Sequence, residues 1–233
     1  MEIVPAILVR SFRELQDRLA FVSRLSNTVH VDFCDGRFVT AQTWPYTYGG
    51  FEEDVHALHI LDEEEGMPYW DTMDFEFDLM VKNPHLVMDT FIKLGAKKLI
   101  FHIESVSDTS EFLEFLEGID MYTRENTELG IAINTTTDVE VLKPFLIHVD
   151  FIQCMGIAHI GRQGEAFDER VFEQIKKIRA MDPQMMIAVD GSVNMATAPM
   201  LVDLGVRKLV VGSAILEDSD PVSVIEDMRG LVE

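Results

Sequence analysis

Short apolar runs alternate with amphipathic stretches along this chain, and their spacing is regular. Runs rich in branched and aromatic residues fall at 3–9, 29–33, 74–81, 98–103, 129–134, 149–155, 186–190 and 208–211. Each is the length of a strand. The intervening segments carry apolar residues three and four apart and predict helices at 12–25, 85–95, 108–117, 138–143, 168–181, 194–204 and 220–231. Local signals agree with these limits. Ser11 followed by Glu14 reads as a capping box. Pro84 sits near a helix start, where its missing N–H costs little, and Gly95 ends that helix. Between the second and third strands lies a long segment, 34–71, rich in glycine, aromatics and acids, with a helix expected near 51–60. A connection of that length is expected to be functional or mobile, and its acidic run Asp62 to Glu65 to be a solvated turn. Eight strand-then-helix units predict an α/β fold, a parallel sheet closed into a (β/α)8 TIM barrel, with an open doubly wound sheet as the alternative. No Pro/Gly/Ser-rich linker interrupts the pattern, so residues 1–233 are expected to form a single barrel.

The second strand carries the most chemistry. Alternate side chains of a strand share a face, so His30 and Asp32 point one way while Val29, Val31 and Phe33 point the other. Such a histidine and carboxylate can share a metal ion or a proton, or can simply hydrogen-bond each other inside a barrel. Active sites of these barrels are built at the C-terminal ends of the strands. The other strands bring Asp78, His102 with Glu104, Asn134, and Asp190 followed by Gly191 and Ser192 to their ends. Several carboxylates converging on one mouth need a metal ion, protonated histidines or shared protons to offset their repulsion. For the His102/Glu104 pair, structural pairing and substrate contact are both open. His56, His59 and His148 fall outside strand ends and are expected at the surface or in packing. Cys154 is expected to be a buried, inert thiol.

Composition narrows the partners. Nineteen Lys and Arg against 41 Asp and Glu give a net charge of -22, which repels nucleic acid phosphates and acidic membrane surfaces. A phosphorylated ligand would have to rely on local backbone N–H groups and helix N-termini. Two cysteines, Cys34 and Cys154, make neither a disulfide framework nor a metal-binding CxxC pair. The opening Met-Glu-Ile-Val-Pro lacks the order of a secretory leader, and no apolar run reaches membrane-spanning length, so a cytoplasmic location is expected.

The stretch His-Val-Asp-Phe-Cys-Asp-Gly-Arg-Phe-Val at 30–39 resembles the HxDxMDGxFVP signature of ribulose-phosphate 3-epimerases. Further similarities follow in order: Pro5-Ala6-Ile7-Leu8 to PSIL, Asp78-Leu79-Met80-Val81 to HLMV, and Leu94-Gly95-Ala96 with His102-Ile103-Glu104 to GA…HxE. Later in the chain, 130–134 resembles GxALNP, 189–194 resembles VDGG, and 211–215 resembles AGSAIF. Val-Asp-Gly-Ser in place of VDGG also occurs in a sister branch acting on allulose 6-phosphate.

The resemblance implies epimerisation of a ketose phosphate, a pentulose 5-phosphate or allulose 6-phosphate. Asp32 and Asp190 would be the acid/base pair, and a divalent metal would be held by His30, Asp32, Asp78 and Asp190. It implies phosphate binding by Gly161, Arg162, Gly164, Gly191, Ser192, Gly212 and Ser213, with Met80 and Met155 capping the site and Cys34 standing where a third methionine would be. A homo-oligomer is the usual assembly. Departures from the family are also evident. Asp78 replaces a histidine ligand, and one imidazole with three carboxylates favours manganese, iron(II) or magnesium over zinc. Ala6 replaces a serine that helps hold substrate. The NPGFGGQ phosphate loop is here 158–164, Ala-His-Ile-Gly-Arg-Gln-Gly, where Arg162 or His159 would supply a side-chain charge in place of a backbone cradle. The competing expectations are an aldolase or decarboxylase on another sugar phosphate, and a phosphate-ligand binding barrel without turnover.

Overall fold

The computed structural model describes residues 1–162 and 164–231. Among them, eight strands close in sequence order into a barrel: β1 Glu2–Ile7, β2 Thr28–Cys34, β3 Asp74–Met80, β4 Ala96–His102, β5 Glu128–Ile133, β6 Phe151–Met155, β7 Met186–Asp190 and β8 Lys208–Val211. The chain is thus a (β/α)8 barrel, and the open-sheet alternative is overturned by the β8-to-β1 pairing, in which Glu2 lies opposite Lys208 and Pro5 opposite Val211. The contacts divide the chain into two compact units, Ala6–Glu128 and Met1–Pro5 with Leu129–Glu233.

In the unit Ala6–Glu128, helix α1 (Phe12–Val22) begins where Ser11 Oγ accepts from Glu14 N at 3.1 Å, while the Glu14 carboxylate reaches back to Arg10 N at 2.8 Å. Such a cap contributes about 1 kcal/mol. Strands β2 and β3 pair so that His30 lies opposite Glu76 and Asp32 opposite Asp78. The alternate residues form the apolar layer: the Phe33 ring lies 5.0 Å from Phe77 and 4.9 Å from Phe91 of α3 (Met88–Lys93). Burying an aromatic of this size stabilises by roughly 2–3 kcal/mol, which fixes the pleat and keeps His30 and Asp32 on the inner face. The segment after β2 is anchored: Thr43 Oγ1 accepts from Cys34 N at 2.8 Å, and the buried Trp44 ring packs 5.3 Å from Phe12. Its helix, α2 (Val55–Leu61), is capped by Asp54, which accepts from Ala57 N. Next in the chain are α4 (Thr109–Gly118) and α5 (Met121–Asn126).

In the unit of Met1–Pro5 and Leu129–Glu233, β6 is followed by α6 (Arg170–Met181), β7 by α7 (Ala198–Asp203), and β8 by α8 (Ser213–Leu216) and α9 (Pro221–Gly230). The loops after β6 and β7 touch backbone to backbone. Gly156 N donates to Asp190 O at 2.6 Å, and a Cβ on Gly156 would lie 2.2 Å from the Gly191 carbonyl oxygen.

Several limits differ from the sequence expectation. The helix expected to reach residue 25 ends at Val22. The one expected over 85–95 opens as a 3-10 turn, Pro84–Val87, because Asn83 turns left-handed at φ 50° before it. The segment 138–143 is likewise 3-10, at Val139–Leu142. Helix α5 was not anticipated; it buries none of its residues, so it leaves no apolar period to read. Among the described residues no helix is long and apolar enough to cross a membrane.

Candidate active site and metal centre

The inner faces of β2 and β3 carry an almost wholly buried polar cluster. His30 Nε2 lies 3.5 Å from both Asp32 Oδ1 and Asp78 Oδ2, and its Nδ1 lies 3.5 Å from Glu76 Oε2. Glu76 in turn pairs with Lys98 of β4, Nζ to Oε1 at 3.2 Å. The other oxygen of Asp78 meets His102 Nε2 at 2.8 Å. Every position follows from strand alternation: 30 and 32, then 76 and 78, share faces of paired strands, and 98 and 102 share the inner face of the next. His102 therefore has a structural partner, while Glu104 lies in the one-turn 3-10 segment Ile103–Ser105. Sequence reasoning missed Glu76 and Lys98. The signal was there in the i, i+2 relation of Glu76 to Asp78.

Burial pushes the Asp32 carboxyl above its ordinary value against the pull of His30, with Asp78 adding to the rise. Burial acts the same way on Asp78, but the neighbouring His102 and His30 outweigh it and hold that carboxyl below the usual range. Two carboxylates directly opposite each other thus have environments that drive them apart. Within the unit Ala6–Glu128, His30, Asp32 and Asp78 offer one imidazole and two carboxylates to a common point, with His30 Nε2 3.5 Å from an oxygen of each acid. Asp32 Oδ1 is buried with no hydrogen-bond partner among the described residues. A buried carboxylate oxygen in that state, beside a second carboxylate and an imidazole, fits a divalent cation able to neutralise them.

The remaining expected residues fall as follows. Met80 lies opposite Cys34 in register, Sγ to Sδ at 3.9 Å, and Met155 lies opposite Asp190. Ser192 takes up a left-handed conformation, φ 53°, and its hydroxyl donates to the Glu165 carbonyl, joining the loops after β6 and β7. Gly191 and Gly164 also have positive φ. Gly161 and the exposed Arg162 lie on the same loop as Gly164, and Gln163 lies outside the described residues. Gly212 caps α8, of which Ser213 is the first residue. Asn134 is a brace, its Nδ2 donating to Ala158 O at 3.2 Å. His56 and His59 both face Glu65 at 3.4 Å, and His56 stacks on Phe12. Cys154 is buried, and that burial pushes its thiol up to about 12.

The sequence matches the Ribulose-phosphate 3 epimerase family over residues 2–216. It is 26% identical over 236 residues to the ribulose-phosphate 3-epimerase of Bacillus subtilis (strain 168), covering 99% of each chain. It is 25% identical over 232 residues to that of Schizosaccharomyces pombe, covering 99% of this chain and 93% of the other. Among solved structures, KGPDC from Streptococcus mutans in complex with D-R5P superposes with a TM-score of 0.68 at 11% identity, covering 99% of this chain and 96% of that one, a likeness of fold. With the barrel, the polar cluster and a match over nearly its whole length, the chain belongs to the ribulose-phosphate 3-epimerase family.

Proposed function

We propose that this chain epimerises a ketose phosphate, with Asp32 and Asp190 as the two acid/base groups acting from opposite sides of the carbon next to the ketone. The observation that carries this is the buried set of His30, Asp32 and Asp78, in which His30 Nε2 lies 3.5 Å from a carboxylate oxygen of each acid. One carboxylate removes the C–H proton and leaves an enediolate. The other, entering protonated, returns a proton to the opposite face, and the pair ends the turnover with its protonation exchanged. Burial raises the Asp32 carboxyl above its ordinary value. Glu76 lies 3.5 Å from His30 Nδ1, on the side of the ring away from Asp32 and Asp78, while His102 fixes Asp78. A divalent ion held by His30, Asp32, Asp78 and Asp190 would supply positive charge beside the ketone oxygen, and the oxygen-rich donor set favours manganese, iron(II) or magnesium. The loops carrying Gly161, Arg162, Gly164, Gly191, Ser192, Gly212 and Ser213 would take the phosphate. Two buried free thiols suit a reducing, cytoplasmic compartment.

The test is turnover of D-ribulose 5-phosphate and D-allulose 6-phosphate to their 3-epimers, followed by NMR, with metal content measured by mass spectrometry. Asp32→Asn and Asp190→Asn should each lower kcat by about 10²–10⁴-fold, and His30→Ala should lose bound metal. Cleavage of a C–C bond without epimerisation, or no turnover of either ketose, would contradict the proposal.

A further inference from the structure

At the ends of β2 and β3 a separate pocket of about 340 Å³ is bounded by Asp35, Gly36, Arg37, Gln42, Tyr46 and Lys82 among others. Its rim is rigidly built. Asp35 Oδ1 accepts from the backbone N–H groups of Arg37 at 2.7 Å and Phe38 at 3.0 Å, and Oδ2 accepts from Lys82 N at 2.8 Å. One carboxylate therefore rivets the loop after β2 to the loop after β3. The same turn is closed by the antiparallel bridge between Asp35 and Gln42. Gly36 sits there at φ +74°, and a Cβ on it would strike the Gln42 side chain at 2.7 Å.

Two basic side chains meet at this rim of a strongly acidic chain. The chain carries 41 acidic residues against 19 basic ones, and some basic side chains are neutralised by a carboxylate. Arg13, Lys143, Arg170 and Lys176 each pair with one. Arg37 and Lys82 line the same pocket, yet neither side chain enters an ion pair among the described residues. The acid beside them, Asp35, is committed to three backbone N–H groups. A guanidinium fork, an ammonium, the Gln42 amide and the Tyr46 hydroxyl can together surround a tetrahedral oxyanion with charged and neutral donors. The volume leaves room for the small molecule that carries it.

We infer that this pocket is an anion site for a phosphoryl group, held between Arg37 and Lys82. It is assembled by the loops after β2 and β3, whereas the phosphate loops of the proposed epimerase follow β6, β7 and β8. The inference therefore stands whether or not that activity does. The phosphoryl group can come from free inorganic phosphate or from a sugar phosphate.

Backbone amide NMR of the full chain decides between outcomes, with inorganic phosphate and, separately, D-ribulose 5-phosphate as probes. The resonances of Gly36, Arg37, Phe38 and Lys82 should move saturably. In Arg37→Gln/Lys82→Gln the apparent affinity at those resonances should fall by about tenfold or more, the loss of two charge-assisted contacts. A Lys143→Gln/Lys176→Gln chain with the same charge change should bind as the parent does. Dispersed spectra of both double variants would show that each is folded, and kcat for ketose epimerisation should be unchanged in the first. If only inorganic phosphate moves these resonances the ligand is the free ion, and if the ketose phosphate moves them at lower concentration it is the sugar ester. Resonances that stay still with both probes, or that move equally in Arg37→Gln/Lys82→Gln, would overturn the site.

Discussion

Asp32 and Asp78 stand directly opposite each other on neighbouring strands, yet their surroundings push them in opposite directions. Asp78 takes a 2.8 Å contact from His102, whereas Asp32 keeps a buried oxygen without a hydrogen bond. The pairing of His30 with Asp32 was legible because a strand's period is two. Its supporting residues were not, since Glu76 and Lys98 take their meaning from strand register, which a single sequence does not print. A simpler electrostatic pair allows a pH test. The Arg170 side chain holds the Asp168 carboxyl at about 2, below its ordinary 3.8, with Thr135 also donating to it. A carboxyl depressed on folding contributes stability that is present above its unfolded value and lost as pH falls toward the folded one. In urea unfolding, the stability gap between the parent and Arg170→Met should therefore open as pH rises from about 2 to about 4 and stay level above that. A gap that does not change with pH would show that Arg170 stabilises through packing alone.

Elements came through the sequence in proportion to how much apolar surface they bury. β7 and β8 were readable to the residue, as short apolar runs bounded by polar turns, whereas α5, with no buried residue, was invisible. The long connection after β2 was expected to be functional or mobile; Trp44 packs its first part on α1, and Thr43 ties it to β2. Its length reflects the turn that builds the Asp35 rivet as well as α2. The junction between the loops after β6 and β7 depends on the absence of a side chain at Gly156, whose position faces the Gly191 carbonyl oxygen at 2.2 Å from any added Cβ. Two backbones cannot yield as a flexible side chain would. Gly156→Ala should therefore cost about 1–3 kcal/mol in chemical denaturation and raise KM for a ketose phosphate more than it lowers kcat, because it displaces the loop of Gly161 and Gly164. Unchanged stability would show that this contact relaxes freely.

For the molecule as a whole, the repetition of eight strands determines both the closed barrel and the location of its chemistry at the strand ends. That much of the fold was legible because the repeat is long and each unit is simple. The ligand chemistry at the second anion pocket was not legible. It arises where two loops meet around Asp35, a pairing that strand register sets and chain order does not. A net charge of -22 makes the local placement of Arg37 and Lys82 matter more than it would on a neutral surface. The central claim is that two carboxylates flank one carbon, and it is tested most directly in heavy water. With D-ribulose 5-phosphate and the parent chain, the hydrogen at the carbon next to the ketone should be replaced by deuterium as the epimer forms, and that replacement should stop in both Asp32→Asn and Asp190→Asn. Epimer that keeps its original hydrogen, or exchange at the parental rate in either variant, would contradict it.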